Sequence, residues 1–387
     1  MRLNERVGAI PPSATLAITS RAKQMKTEGR TIFGFAAGEP DFDSPEEVKQ
    51  ACARALAEGQ TKYAPTPGTP ALREAIARKL NEENGLAYDP GQVVVSNGAK
   101  HSLFNTFVAL CREGDEVIIP APYWLSYPEM VRVAGGRPVF VPCPEDEGLK
   151  LAPPRFEAAI TDRTVAVVLN SPGNPTGVVY SRAELEALAD VALRHGLFIV
   201  ADEIYEKVLY DGQNHFSVGG ISEEVLARTV TINGFSKSYA MTGWRIGYLA
   251  APPDMAKAVS ALQSHSTSGV NTFAQAGAVA ALGLPPDRLK PMQEAFAARR
   301  EVLYEGLISI AGVQCVKPMG AFYMLPNIRS FGIGSTEFAG RLLEEEGVAL
   351  VPGVPFGAEG FVRLSYACSM ENIEQGVAAL RRFIASL

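Results

Sequence analysis

SRAELEALADVALRHGLFIVADEIY, Ser181 to Tyr205, carries in miniature the pattern of the whole chain. Ser181 followed three residues later by Glu184 is a capping box. The helical spacing that begins there runs to His195, and Gly196 supplies a helix end. Phe198–Ala201 is then apolar throughout and stops abruptly on Asp202 and Glu203. A strand without polar alternation is one covered on both faces. Comparable runs lie at Val93–Ser96, Val117–Pro120, Val139–Pro142, Val165–Asn170, Val230–Asn233 and Ile246–Ala250. Together they predict an α/β protein with about seven strands in a mostly parallel sheet flanked by helices.

The 387 residues are too many for one compact core and suggest two domains. Residues 45–285 hold the βαβ pattern. Residues 1–44 read as Pro-rich and loop-like, with a strand in TIFGFAA that leads toward Ser44-Pro45, where Glu47 marks a helix start. From about Pro285 onward come a long Ala/Glu/Arg helix, a strand in GAFYML and a last helix. We therefore expect 1–44 and 286–387 to form a smaller α+β domain.

Composition narrows the function classes. With 47% hydrophobic and 20% charged residues the chain is an ordinary globular protein. A net charge of −6 leaves no basic stripe for nucleic acid. MRLNERVGAIPPS lacks an apolar signal core, and no apolar run approaches the roughly 18 residues of a membrane span, so a cytoplasmic location is expected. Five scattered cysteines without a C-x-x-C pair predict reduced thiols, and four scattered histidines give metal catalysis no support. Gly332–Ser335, GIGS, lacks the third glycine of a dinucleotide loop, and neither a P-loop nor a G-x-S-x-G motif is present.

In an open α/β sheet, ligands sit beyond the carboxyl ends of the strands. FSKSYAMTGWRIGY, Phe235–Tyr248, puts Lys237 among Ser236, Ser238 and Tyr239 with Arg245 just downstream. Lys237 is either a surface lysine or an amine kept partly deprotonated to form a Schiff base, with Arg245 holding an anionic group of the same ligand. An aldehyde that carries a phosphate is pyridoxal 5′-phosphate. Asp202 is either a helix cap or the partner of that cofactor's ring nitrogen, with Tyr205 donating to the ring phenolate. Asn174, in NSPGNPTG, is either a turn residue or a donor to the same oxygen. Lys100, in NGAKHSLFN, is either a solvated charge or part of the helix start where the N–H groups near Gly98 and Ala99 cradle a phosphate. Trp124 packs in the core or stacks on a planar ring.

Taken together these residues resemble the class I aminotransferases of fold type I, the aspartate aminotransferase family, over essentially the whole chain. By that resemblance Lys237 is the Schiff-base lysine, Asp202 pairs with the ring nitrogen, Tyr205 and Asn174 contact the phenolic oxygen, and Trp124 stacks on the ring. Gly98, Ala99, Ser236 and Arg245 hold the phosphate, and Tyr63, in TKYAPTPG, reaches the phosphate of a neighbouring subunit, which implies a homodimer with shared active sites. Arg363, in FVRLSYA, grips the substrate α-carboxylate with help from the backbone of Gly38, in AAGEPDF. The chain is most similar to the bacterial and plant branch, with PSAT near the start, GAK and SPGNPTG. It departs from the enteric and animal branch at Gln263-Ser264-His265-Ser266, which carries no arginine. In the branch it resembles, Lys100 takes the second carboxylate, helped by Ser13 and Thr15.

The activity implied is ping-pong transamination of aspartate and 2-oxoglutarate, with small amino acids and 2-oxo acids as partners. Prephenate is an alternative acceptor, and broader aromatic or alanine transamination a further one. C–S lyases and cyclopropane-carboxylate synthases share the scaffold, but a basic distal pocket disfavours them. A ligand sensor fused to a DNA-binding domain would need an additional segment of roughly 60 residues with a basic face before the sheet domain.

Overall fold

In a computed structural model the described residues run from Asn4 to Leu387. The described residues contain twelve strands: β1 Phe33–Gly34, β2 Val93–Ser96, β3 Glu116–Ala121, β4 Arg137–Pro142, β5 Thr164–Asn170, β6 Phe198–Asp202, β7 Thr229–Gly234, β8 Gly247–Ala250, β9 Tyr323–Met324, β10 Val348–Ala349, β11 Val351–Pro352 and β12 Val362–Ser365. The seven expected runs are β2 to β8, and they form one sheet in the order β2-β8-β7-β6-β5-β3-β4. Strand β8 is antiparallel to both its neighbours, and the remaining pairs are parallel. Alternate residues feed opposite faces. Val167 and Leu169 of β5 and Ile199 and Ala201 of β6 join one core, while Ala166, Val168 and Val200 join another. Burial on both faces explains why these strands read as unbroken apolar runs.

The capping box at Ser181 and Glu184 is formed, and its helix runs Arg182–Arg194 with His195 as C-cap. Outside the main sheet, β9, β11 and β12 make an antiparallel sheet in the order β11-β12-β9, and β1 pairs in parallel with β10. Long helices Lys290–Ile308 and Met370–Ala385 pack beside them.

Two expectations need correction. Residues 4–44 are not loop-like throughout, since Ala14–Thr27 is a helix capped by Ser13. It buries only Met25, so it carries no apolar periodicity to betray it. The strands expected in TIFGFAA and GAFYML each shrink to two residues. The helix expected from Ser44-Pro45 is present, beginning at Glu46 with Pro45 as its N-cap. The Ser44 hydroxyl donates to the Ala240 carbonyl and accepts from the Trp244 indole N–H.

Candidate active site

The parallel strands end at one edge of the sheet, and antiparallel β8 begins there. The residues following β2, β3, β5, β6 and β7 and those preceding β8 therefore converge, on a cavity of about 340 Å³. Lys237, from the turn after β7, lines it together with Asp202 at the tip of β6. The Lys237 ammonium donates to the Gly38 carbonyl. Burial, together with repulsion from Arg245, Arg363 and Lys100, lowers its pKa to about 8, against an opposing pull from Glu39. Asp202 moves the other way, raised by burial to about 6 although the Tyr127 hydroxyl, the Ile204 N–H and Lys237 favour its anion. An amine and a carboxyl, both within reach of neutral pH in one cleft, form a pair of groups suited to moving protons.

One end of the cleft gathers groups of the kind that suit an anion. The helix Ala99–Leu110 starts there, with Gly98 as its N-cap at φ 83°. Ser236 and Arg245 stand beside it on the lining. Arg245 has φ 54°, an uncommon conformation for a residue with a side chain. Its guanidinium donates to Thr242 O at 2.6 Å. The packing is close enough that a Cβ on Gly247 would lie 2.2 Å from Ala99 N, and one on Gly98 2.5 Å from the Arg245 guanidinium.

Arg363, on β12, also lines the cleft and is buried. It donates to Asn174 Oδ1 at 3.2 Å and to Ala36 O at 2.9 Å, while its Nε has no partner among the described residues. Its guanidinium lies 4.6 Å from the Tyr323 ring centre and 5.0 Å from that of Phe356. The Tyr323 hydroxyl shares a 2.8 Å hydrogen bond with that of Tyr205. Lys100 rests over Trp124 at 4.9 Å. Although much of Lys100 is exposed, its ammonium end is desolvated enough by the cleft, with Arg245 repelling it, to lower its pKa. Ser13 and Thr15 complete the rim, and Thr15 Oγ1 is buried with no partner among the described residues.

The cavity thus gathers Ser13, Thr15, Gly38, Ala99, Lys100 and Trp124 with Asn174, Asp202, Tyr205, Ser236, Lys237, Arg245 and Arg363. It does not include two residues singled out in the sequence. Gly98 lies just behind Arg245, and Tyr63 is 99% exposed away from the lining. Two aromatic residues that line the cavity escaped the sequence reading. Tyr127 hydrogen-bonds to Asp202 and Tyr323 to Tyr205. Tyr127, three residues beyond Trp124 and just after a strand end, had a positional signal; Tyr323 lies on a strand outside the main sheet and had none. Behind β6, Glu203, Glu206 and His215 bring their ligand atoms within 4.8 Å of one another. The Lys79 ammonium pairs with Glu206, and Ser217 donates to Glu203 at 2.6 Å, so these charges are balanced within the protein.

Comparison with known proteins gives a consistent answer. The family model for aminotransferase class I and II matches residues 30–380. An aspartate aminotransferase from Geobacillus stearothermophilus is 50% identical over 389 residues, covering 99% of each chain. An aspartate/prephenate aminotransferase from Thermus thermophilus is 48% identical over 384 residues, covering 98% of this chain and 97% of its own. The solved structure of aspartate aminotransferase from Thermus thermophilus with maleate superposes with a TM-score of 0.95 at 48% identity, covering 100% of both chains.

Proposed function

The chain belongs to the class I and II aminotransferases, and we propose that it transfers the α-amino group of aspartate to 2-oxoglutarate in a ping-pong cycle, with pyridoxal 5′-phosphate as cofactor. The observation that carries this reading is the pairing of Lys237, lowered to about 8, with Asp202, raised to about 6, in one cleft between an anion-binding helix start and a buried arginine.

The residues present fit that cofactor. Glycine at 247 and 98 leaves room where a Cβ would strike the Ala99 amide or the Arg245 guanidinium. The helix N-terminus, the Ser236 hydroxyl and Arg245 then suit a phosphate. When bound, the cofactor supplies an aldehyde that holds an amine covalently and a cationic ring that stores an electron pair. In this reading Lys237 would hold the cofactor through its amine, and its Nζ would also be the group that takes the proton from the substrate α-carbon. Asp202 would partner the ring nitrogen and keep it protonated, Tyr205 and Asn174 would donate to the phenolic oxygen, and Trp124 would stack on the ring. Arg363 receives the α-carboxylate with its unpartnered Nε and a terminal nitrogen, a two-point contact that also orients the α-hydrogen, and the Gly38 N–H adds a donor. Lys100, Ser13 and Thr15 receive the second carboxylate, a reading supported by the dicarboxylate maleate named with the Thermus thermophilus structure.

The same reading assigns residues 45–285 to a cofactor-binding domain and residues 1–44 and 286–387 to a smaller one. It also makes the enzyme a homodimer, with the exposed Tyr63 reaching the phosphate site of a partner subunit. No described helix is long and apolar enough to cross a membrane. Prephenate is the alternative acceptor, favoured by relatives named aspartate/prephenate aminotransferase. An initial-rate screen of amino donors against 2-oxoglutarate and prephenate decides between them. Aspartate with 2-oxoglutarate should be the fastest pair, and no turnover with any dicarboxylic donor would refute the substrate assignment.

A further inference from the structure

Tyr127 donates its hydroxyl to Oδ2 of Asp202 at 2.6 Å, and both residues are buried. Among the described residues, the other carboxylate oxygen, Oδ1, meets only the Ile204 N–H, at 3.4 Å. That contact is too long to hold it firmly. Asn170 fixes the backbone beside it, donating from Nδ2 to Asp202 O at 2.9 Å. The Tyr127 ring stands edge-on to Trp124, with centroids 5.2 Å apart at 81°, so the residue that would cover a planar ligand also braces the phenol. Asp202 therefore has one oxygen tied back into the protein and one available to the cleft it lines.

We propose that Tyr127 is a positioning residue for transamination: its phenol occupies Oδ2 of Asp202, so that Oδ1 is the oxygen turned to the protonated ring nitrogen and the carboxylate is kept ionised there. The inference rests on the cofactor reading above. The titratable groups facing Asp202 are Tyr127, Glu203, Tyr205 and Lys237. Burial raises the Asp202 pKa, the Tyr127 hydrogen bond and the Ile204 N–H oppose that rise, Glu203 adds to it and Lys237 resists it. Tyr127 itself is pushed well above the ordinary phenol range by burial, and the neighbouring Asp202 adds to the shift, so it remains a donor wherever the enzyme works. A buried carboxylate stripped of a charge-assisted hydrogen bond holds its proton to higher pH.

The full-length protein and its Tyr127→Phe variant, stripped of cofactor, provide the test. The affinity of each for pyridoxal 5′-phosphate, and for the analogue with C–H in place of the ring nitrogen, is measured from about pH 5 to about pH 9. Wild type should prefer the ring nitrogen, with the preference fading below about pH 6, as Asp202 takes up its proton. In Tyr127→Phe that acid limb should move up by about one pH unit, which is about tenfold in affinity on its acid side. The analogue's affinity should not change. An unmoved limb, or equal losses for both ligands, overturns the inference and leaves Tyr127 a packing residue. A wild-type protein indifferent to the ring nitrogen overturns the Asp202 assignment itself, and this inference with it. Replacement of Tyr127 by 3-fluorotyrosine, a stronger donor of nearly equal size, should shift the limb to lower pH. A limb that stays put there also overturns the proposal, even if the phenylalanine variant does not fold.

Discussion

At Lys237, burial joined by repulsion from neighbouring cations prepares a reactive amine. A pKa of about 8 against an ordinary 10.5 raises the neutral fraction at pH 7 from below about 0.1% to about 10%. Reaction of the cofactor-free enzyme with pyridoxal 5′-phosphate should therefore accelerate about tenfold per unit as pH rises toward 8 and level off above it, read by stopped-flow absorbance. A plateau displaced toward pH 10 would mean an unperturbed lysine. The stability of the cofactor-free protein follows with a definite sign. A lowered lysine pKa costs stability progressively as pH falls from 10.5 to about 8, and a raised aspartate pKa costs stability as pH rises from 3.8 to about 6. Both costs are complete between pH 6 and 8, so the rise in Tm on cofactor binding should be largest in that window. Lys100 carries the substrate assignment. Its side chain touches the cavity while its backbone helps to start a helix, so Lys100→Ala should retain the cofactor. The half-reaction with aspartate should slow by about 10- to 150-fold, the equivalent of one charge-assisted contact, while that with alanine should be nearly unchanged. Equal losses for both donors in single-turnover kinetics would move Lys100 from substrate to cofactor.

Strands and helices deliver these side chains, and their close approaches are where the design is least tolerant. Gly247 opens β8 against the start of the Ala99–Leu110 helix, where an added methyl would lie 2.2 Å from a backbone nitrogen. Gly247→Ala must push that helix start outward, because backbone cannot yield as a side-chain tip can. We expect at least a tenfold loss of affinity for the cofactor and for inorganic phosphate, measured by calorimetry, with the sheet still folded by circular dichroism. How much of this was legible in the sequence follows from the same geometry. Central runs such as β5 and β6 were readable because burial on both faces removes polar alternation, and the residues at the carboxyl ends of the strands followed by rule. The Ala14–Thr27 helix was not, since it buries one residue and leaves no periodic stripe. Nor was Tyr323, whose two-residue strand belongs to a sheet assembled from distant segments: β9 pairs with β12, and β12 with β11. Arg363 was found only through family resemblance, because nothing in its local sequence announces that it faces Tyr323 and Asn174.

For the whole molecule the proposed dimer makes a direct prediction. Tyr63 is 99% exposed and lies off the lining of its own cavity, and in the proposed dimer its hydroxyl acts in the partner subunit. Mixing Lys237→Ala and Tyr63→Ala chains under conditions that allow exchange should restore activity through heterodimers with one intact site. Light scattering that shows a fully active monomer, or mixtures no better than their parents, would exclude shared sites. The path by which the chain assembles its cleft follows from the antiparallel placing of β8. Lys237 and Arg245 sit in one loop between neighbouring strands, so their half of the cleft closes through contacts local in sequence. Arg363 bonds to Ala36, 327 positions away, and closing so long a loop is entropically slower. In a refolding chain the lysine half should acquire hydrogen-exchange protection first, and the carboxylate-gripping half last, so that a cofactor-competent but substrate-blind species precedes the finished enzyme.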